Sequence, residues 1–188
     1  MLIKTLVVGP IETNCYVVTN EDTLECVVID PGDSSATILD YLEDNRLRCE
    51  AAFLTHGHWD HTGALGPVME ETGCDAYVTD TDFNLCVKDE PPFRKLPEEC
   101  RFYGDGDTLG IAGIEFHIIG TPGHTPGGVS IVCEDALFTG DTLFRGSCGR
   151  VDLTGGDEVT ELKSLKKLCM LEGDYEVYPG HGDSTSLQ

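Results

Sequence analysis

Three of the chain's six histidines fall within six residues, His56-Gly57-His58-Trp59-Asp60-His61. They follow the run Glu50 to Thr55, which reads as a strand. A strand end followed by a turn aims several side chains into one small volume, which a metal ion requires of its ligands. In a chain of this composition the chance of a His-x-His-x-Asp-His pattern is on the order of 10⁻³ or less, so three unrelated surface histidines are set aside. Such a site constrains the fold, because further donors must arrive at the same place.

Three candidates do so. His124 follows Gly120-Thr121-Pro122-Gly123, Asp141 follows Leu137-Phe138-Thr139-Gly140, and His181 follows Val177-Tyr178-Pro179-Gly180, each just past an apolar strand-like run. Each is preceded by glycine, which lets backbone pack close to a crowded site. With the hexapeptide they make a rim of seven N/O donors: His56, His58, Asp60, His61, His124, Asp141 and His181. Seven is too many for one tetrahedral zinc and suits two metals that share a carboxylate, with water between them. Two divalent ions are therefore expected, with zinc the first choice; His/Asp donors accept iron and manganese as well. His117 lies inside Ile114 to Ile119 and reads as an ordinary strand side chain.

The rest of the chain supplies strands and helices to carry this rim. Leu2 to Val8, Asn14 to Thr19, Leu24 to Ile29 and Ala76 to Thr79 read as strands. So do Asp107 to Ile111, Ile114 to Ile119, Val129 to Cys133, Ala136 to Thr139 and Tyr175 to Tyr178. Helices are expected from Ser34 or Ser35 to about Arg46, from about Gly63 to Glu71, over Thr81 to Cys86, and over Asp157 to Leu171. Lys88 to Cys100, with Pro91, Pro92 and Pro97, reads as an irregular loop. The pattern predicts an α/β fold of two mixed sheets face to face with helices outside, in one domain over residues 1–188.

Charge limits the partners. Twelve Lys and Arg against 34 Asp and Glu give a net charge of -22, which disfavours nucleic acid and anionic membrane surfaces. The start, Met1 to Val8, lacks a signal-peptide pattern, and no apolar stretch approaches the ~18 residues of a membrane span, so a cytoplasmic protein is expected. The nine cysteines are scattered with no C-x-x-C pair, and read as small buried hydrophobes in a reducing compartment. Cys148 is set apart by its place between Arg145 and Arg150. Those two arginines lie within nine residues of Asp141, and one is expected to meet a substrate carboxylate. An anionic small molecule approaching so acidic a chain needs a local positive patch. Entry is therefore expected at the edge where metals and these arginines would sit.

Over almost its whole length the sequence resembles the metallo-β-lactamase superfamily, a four-layer αββα sandwich with a metal site at one edge of its two sheets. Thr13-Asn14-Cys15-Tyr16 and Ile29-Asp30-Pro31-Gly32 resemble its early motifs, and Thr55 to His61 its metal motif. The resemblance implies that His56, His58 and His124 hold one metal, that Asp60, His61 and His181 hold the second, and that Asp141 bridges. Asp30 is expected to steady a histidine ring or the loops beneath the metals.

Branches of the superfamily are separated by residues. Flavodiiron members carry Glu at the place of His58. True β-lactamases generally lack the Asp-His pair at Asp60 and His61, so antibiotic hydrolysis is not expected. The run Gly140 to Arg150 resembles the glyoxalase II (hydroxyacylglutathione hydrolase) group and its short bacterial relatives, and also persulfide dioxygenases. Pro179-Gly180-His181-Gly182 fits the hydrolases better. Full-length glyoxalase II has a C-terminal helical domain that supplies much of its glutathione site; seven residues follow His181 here, so no such domain is expected. The resemblance implies attack of a metal-bridging hydroxide on a thioester of the hydroxyacylglutathione type, with Asp60 orienting that hydroxide or taking its proton. The alternatives are a mononuclear-iron persulfide dioxygenase using His56, His124 and Asp141, and a lactonase.

Overall fold

The stretch Cys15-Tyr16-Val17-Val18 sets the architecture. Successive side chains of a strand face opposite ways. Here both faces are buried: Cys15 and Val17 enter one core, Tyr16 and Val18 another. A strand buried on both faces needs cover on both sides. The computed structural model, which describes residues 1–187, provides it with two six-stranded sheets packed face to face and helices outside.

The first sheet runs in chain order: β1 (Leu2–Val8), β2 (Thr13–Asn20), β3 (Glu25–Ile29), β4 (Arg48–Phe53), β5 (Asp75–Val78) and β6 (Arg101–Phe102). β1 to β3 pair antiparallel and β3 to β6 parallel. The second half holds β7 (Thr108–Ile111), β8 (Ile114–Gly120), β9 (Val129–Cys133) and β10 (Ala136–Gly140), then a small hairpin of β11 (Leu143–Phe144) and β12 (Ser147–Cys148), then β13 (Tyr175–Pro179) and β14 (Thr185–Leu187). The second sheet has the order β14-β13-β10-β9-β8-β7. Its β10 and β13 are parallel, so their C-terminal ends lie side by side.

Between the sheets, Phe53 meets Tyr77, Tyr103 and Phe116 edge-on at 5.1 to 5.8 Å between ring centroids. Outside the first sheet, α1 (Ser35–Asp44) buries Ile38 and Leu42, and α3 (Leu65–Thr72) buries Leu65 and Val68, after the one-turn α2 (Trp59–Thr62). The short α4 (Asp80–Cys86) follows β5. Outside the second sheet, α5 (Glu158–Cys169) lays Leu168 on Leu137, Val132 and Val177. Asp157 caps it by accepting the Thr160 amide at 2.8 Å, and Lys166 and Lys167 sit in its last turn, where the helix dipole favours cations. The result is the αββα layering of the metallo-β-lactamase fold.

The helix expected from about Gly63 to Glu71 is α3, and a separate helical turn that the sequence reading lacks, α2, precedes it. The Ala64 amide donates to Pro31 O at 2.9 Å, a carbonyl of the neighbouring loop, and this interrupts the run between α2 and α3. Asp60 and His61 therefore ride on a helical turn and not in an open loop. Strands β6, β11, β12 and β14 are only two or three residues long and carry no alternation to read. Seven cysteines are buried, Cys148 and Cys169 are exposed, and all nine are free thiols. No helix among the described residues is long and apolar enough to cross a membrane.

Candidate metal centre

The seven donors converge at one edge of the sandwich. His56 follows β4, and His58 precedes α2, which carries Asp60 and His61. His124 lies in the loop from β8 to β9, Asp141 directly follows β10, and His181 lies just past β13. The ligand atoms of His56, His58 and His124 all lie within 4.8 Å of one another, and so do those of Asp60, His61 and His181. Asp141 stands between the two groups. Its Oδ1 is 3.3 Å from His61 Nε2; its Oδ2 is 3.5 Å from His124 Nε2 and 3.6 Å from His181 Nε2.

The outer nitrogen of four rings is held by protein. His56 Nδ1 lies 3.1 Å from Thr55 Oγ1, and His61 Nδ1 lies 2.8 Å from Asp30 Oδ2. His124 Nδ1 donates to Arg150 O at 2.7 Å, and His181 Nδ1 to Ile11 O at 3.2 Å. With Nδ1 engaged outward as a donor to a hydroxyl oxygen, carbonyl or carboxylate, Nε2 is left as an unprotonated ligand facing the centre. His58 is turned the other way, its Nδ1 2.9 Å from His124 Nε2. Buried polar atoms are nearly always paired. Yet His56 Nε2, His61 Nε2 and Asp141 Oδ1 are buried here with no hydrogen-bond partner. Unpaired nitrogen and oxygen lone pairs facing one volume fit a divalent cation, so the donor set suits metal binding.

For His56 and His58, protonation agrees with that. Burial, then the neighbouring histidines, push His56 well below its ordinary value and His58 down to about 3, so both rings are neutral. Burial opposes the charge on Asp141, but His61 and the other histidines hold it below the usual carboxylate range. Burial likewise opposes the charge on His61, yet Asp141 and Asp30 carry its pKa upward, as expected of a ring among several carboxylates.

Two glycines show how tight the rim is. A Cβ on Gly180 would stand 2.2 Å from Asp141 Oδ1 and 2.7 Å from His61 Cε1. Gly140 has φ +48 and would place a Cβ 2.3 Å from Thr55 Oγ1. The Thr13 to Tyr16 stretch braces the same edge. Thr13 Oγ1 donates to Asp60 Oδ2 at 3.2 Å, Asn14 Nδ2 to Pro179 O and Gly182 O, and the Tyr16 hydroxyl to Pro179 O at 2.6 Å. Asp30, buried beneath the site, also accepts from the Thr55 amide and hydroxyl, both at 2.7 Å.

The arginines stand differently. Arg150 engages Asp152 through two bonds of 2.6 and 2.7 Å in solvent, and it meets the site through its carbonyl on His124. Arg145, at the turn of the β11–β12 hairpin, lies 3.3 Å from Asp183. Cys148 is exposed on the same hairpin, and Trp59 is half-buried. His117 is exposed on β8, bonded to Thr108 and Glu115 and apart from the cluster.

Two buried acids escaped the sequence. Glu161 accepts the His124 amide at 2.9 Å, and burial pushes its pKa up to about 7. Its spacing to Ser164 and Leu168 on the buried face of α5 was the available signal. Asp82 looks like an ordinary first-turn acid of α4, yet it is fully buried. A cleft of about 590 Å³, lined by Tyr103, Pro122, Pro126, Val129, Lys163 and Lys167 among others, lies behind the His124 loop and contains none of the seven donors.

Residues 8–181 match the family model of the metallo-beta-lactamase superfamily. The probable metallo-hydrolase YqgX of Bacillus subtilis is 34% identical over 98% of this chain and 92% of its own. The hydroxyacylglutathione hydrolase GloC of Haemophilus influenzae is 30% identical over 100% of this chain and 93% of its own. Among solved structures, BLEG-1, described as a B3 metallo-beta-lactamase, superposes with a TM-score of 0.91 at 32% identity, covering 99% of this chain and 94% of that one. TTHA1623 in a di-iron-bound form gives 0.86 at 34%, over 98% and 94%. ETHE1 from Myxococcus xanthus gives 0.83 at 27%, over 100% and 80%.

Proposed function

The chain belongs to the metallo-β-lactamase superfamily, and on that premise we propose that it hydrolyses a thioester of the hydroxyacylglutathione type with two divalent metal ions, zinc in the first instance. The observation that carries the proposal is Asp141, standing between two groups of three donors. The relative named as a hydroxyacylglutathione hydrolase supports the substrate class. His56, His58 and His124 would hold one ion, and Asp60, His61 and His181 the other, with Asp141 shared. When bound, the two ions lower the pKa of a shared water and polarise the substrate carbonyl.

The chain's own residues do the rest. Asp60 sits below the usual carboxylate range; burial works against its charge, but the neighbouring His181 and His61 outweigh it. An ionised Asp60 with a depressed pKa accepts a hydrogen bond from the attacking water and orients it; it is a poor store for the proton. A thiolate leaves without much protonation, so the His and Asp of the rim suffice. Arg145 is 67% exposed and is the guanidinium with freedom to swing from Asp183 to an anionic substrate. Arg145→Ala is expected to raise KM for the thioester roughly 5- to 30-fold, about 1–2 kcal/mol, with kcat little changed. An unchanged KM removes Arg145 from the substrate site.

Two other activities belong in the same experiment. The likeness to ETHE1 supports oxygen-dependent persulfide oxidation, and the likeness to BLEG-1 restores β-lactam hydrolysis to consideration despite the Asp60–His61 pair. Metal per chain is measured on purified protein. Turnover is then followed on S-lactoylglutathione, on glutathione persulfide with an oxygen electrode, and on a chromogenic β-lactam. Two ions per chain and thioester turnover that disappears in Asp60→Ala are expected. Two bound ions with no thioester turnover would sink the proposal.

A further inference from the structure

We propose that Asp82 is a positioning residue, a buried clamp that sets the distance between the His56–His58 loop and the His124 loop. The inference rests on the reading that His56, His58 and His124 share a metal ion. Asp82 is 0% exposed and belongs to α4, an element that contributes no ligand. Its Oδ2 accepts from the Gly57 amide at 2.9 Å and from the Thr125 hydroxyl at 2.8 Å. Its Oδ1 accepts from the Gly127 amide at 2.7 Å. Gly57 lies between His56 and His58, and Thr125 follows His124. One carboxylate thus bonds both ligand loops, the first extending from β4 in one sheet and the second joining β8 to β9 in the other.

The bracket has a second arm. Thr79 caps α4, accepting the Asp82 amide, and its hydroxyl donates to Gly127 O at 2.8 Å. Gly127 is therefore held at its amide by Asp82 and at its carbonyl by Thr79. There is no slack: a Cβ on Gly127 would meet Thr79 Oγ1 at 2.3 Å and Asp82 Oδ1 at 2.6 Å. Across the gap that this bracket spans, His58 Nδ1 and His124 Nε2 stand 2.9 Å apart. A metal ion tolerates only small errors in ligand spacing. A buried carboxylate is costly unless fully hydrogen-bonded, and these donors from the two ligand loops satisfy this one.

Asparagine tests the clamp without emptying the site. All three partners face Asp82 as donors, so the amide NH2 of Asp82→Asn must meet at least one N–H or O–H head-on. Zn(II) and Co(II) binding to the full-length chain is measured by competition with a chromophoric chelator, and the visible spectrum of the Co(II) form is recorded. Asp82→Asn is expected to bind both ions about 10- to 100-fold more weakly, with a changed Co(II) spectrum. Thr125→Val, which loses one of the three bonds, is expected to shift in the same direction by less. Ile38→Val, a core truncation under α1, is expected to leave both readouts unchanged. Wild-type affinity and spectrum in both Asp82→Asn and Thr125→Val overturn the clamp, and so does a loss in Ile38→Val as large as in Asp82→Asn. A wild-type chain that binds neither ion overturns the metal reading and the clamp with it.

Discussion

Asp141→Ala is expected to lower thioester turnover by about 10³-fold or more and to cut bound metal from two ions per chain to one or none. The reason is position. Asp141 reaches both donor groups, with oxygens 3.3 Å from His61 Nε2 and 3.5 Å from His124 Nε2. On the two-metal reading, removing it would deprive both ions of a shared negative ligand, and it leaves His61 without one of its three flanking carboxylates, Asp30, Asp60 and Asp141. A metal pair contributes several kcal/mol of transition-state stabilisation, and each ~1.4 kcal/mol is tenfold in rate. Asp141→Asn keeps the volume and loses the charge, so it separates packing from ligation. It is expected to fall nearly as far as alanine in metal content while keeping the wild-type far-UV spectrum. Metal analysis by mass spectrometry, paired with turnover, checks both. An Asp141→Ala protein that still carries two ions would show that the carboxylate does not bridge.

The site was more legible than its supports, for a physical reason. A ligand announces itself by residue type: His and Asp at strand ends after glycine are rare, and the hexapeptide concentrates them. The supports act through geometry that no local pattern records. Asp82 and Glu161 look like first-turn acids of helices, and only tertiary packing turns them inward. Arg150 shows the converse. Its side chain is a cation close to Asp141 in sequence, but its contact with the centre is a backbone carbonyl, which any residue could offer. The fold followed the same division. Strands with period-two burial or continuous apolar runs, such as β2 and β9, were readable. The break between α2 and α3 was not, because it depends on a carbonyl of Pro31, brought there by the fold.

The largest stability effect is expected at Phe53, away from any ligand. Its side chain is 0% exposed between the sheets, ringed by Tyr77, Tyr103 and Phe116. Phe53→Ala opens a cavity where both sheets meet and is expected to cost about 3–5 kcal/mol, or roughly 6–20 °C in Tm for a chain of this size. Val159→Ala on α5, where the side chain is 61% exposed, is expected to change stability by about 0.5 kcal/mol or less. Denaturant unfolding of the two variants, in chelator so that metal does not mask the difference, measures both. A Phe53→Ala cost below ~1.5 kcal/mol would mean that the sheets are held mainly by their outer helices. The variant also asks how far the site depends on the core. His56 lies only three residues beyond Phe53, but the intervening chain is tied down by Asp30 on Thr55 and by the Tyr103 hydroxyl on Leu54 O at 2.6 Å. Well below its lowered Tm, Phe53→Ala is therefore expected to bind as much metal as the wild type, whereas Asp141→Ala keeps the fold and loses one ion or both. Core packing sets how long the edge stays assembled, and the buried hydrogen bonds set its shape.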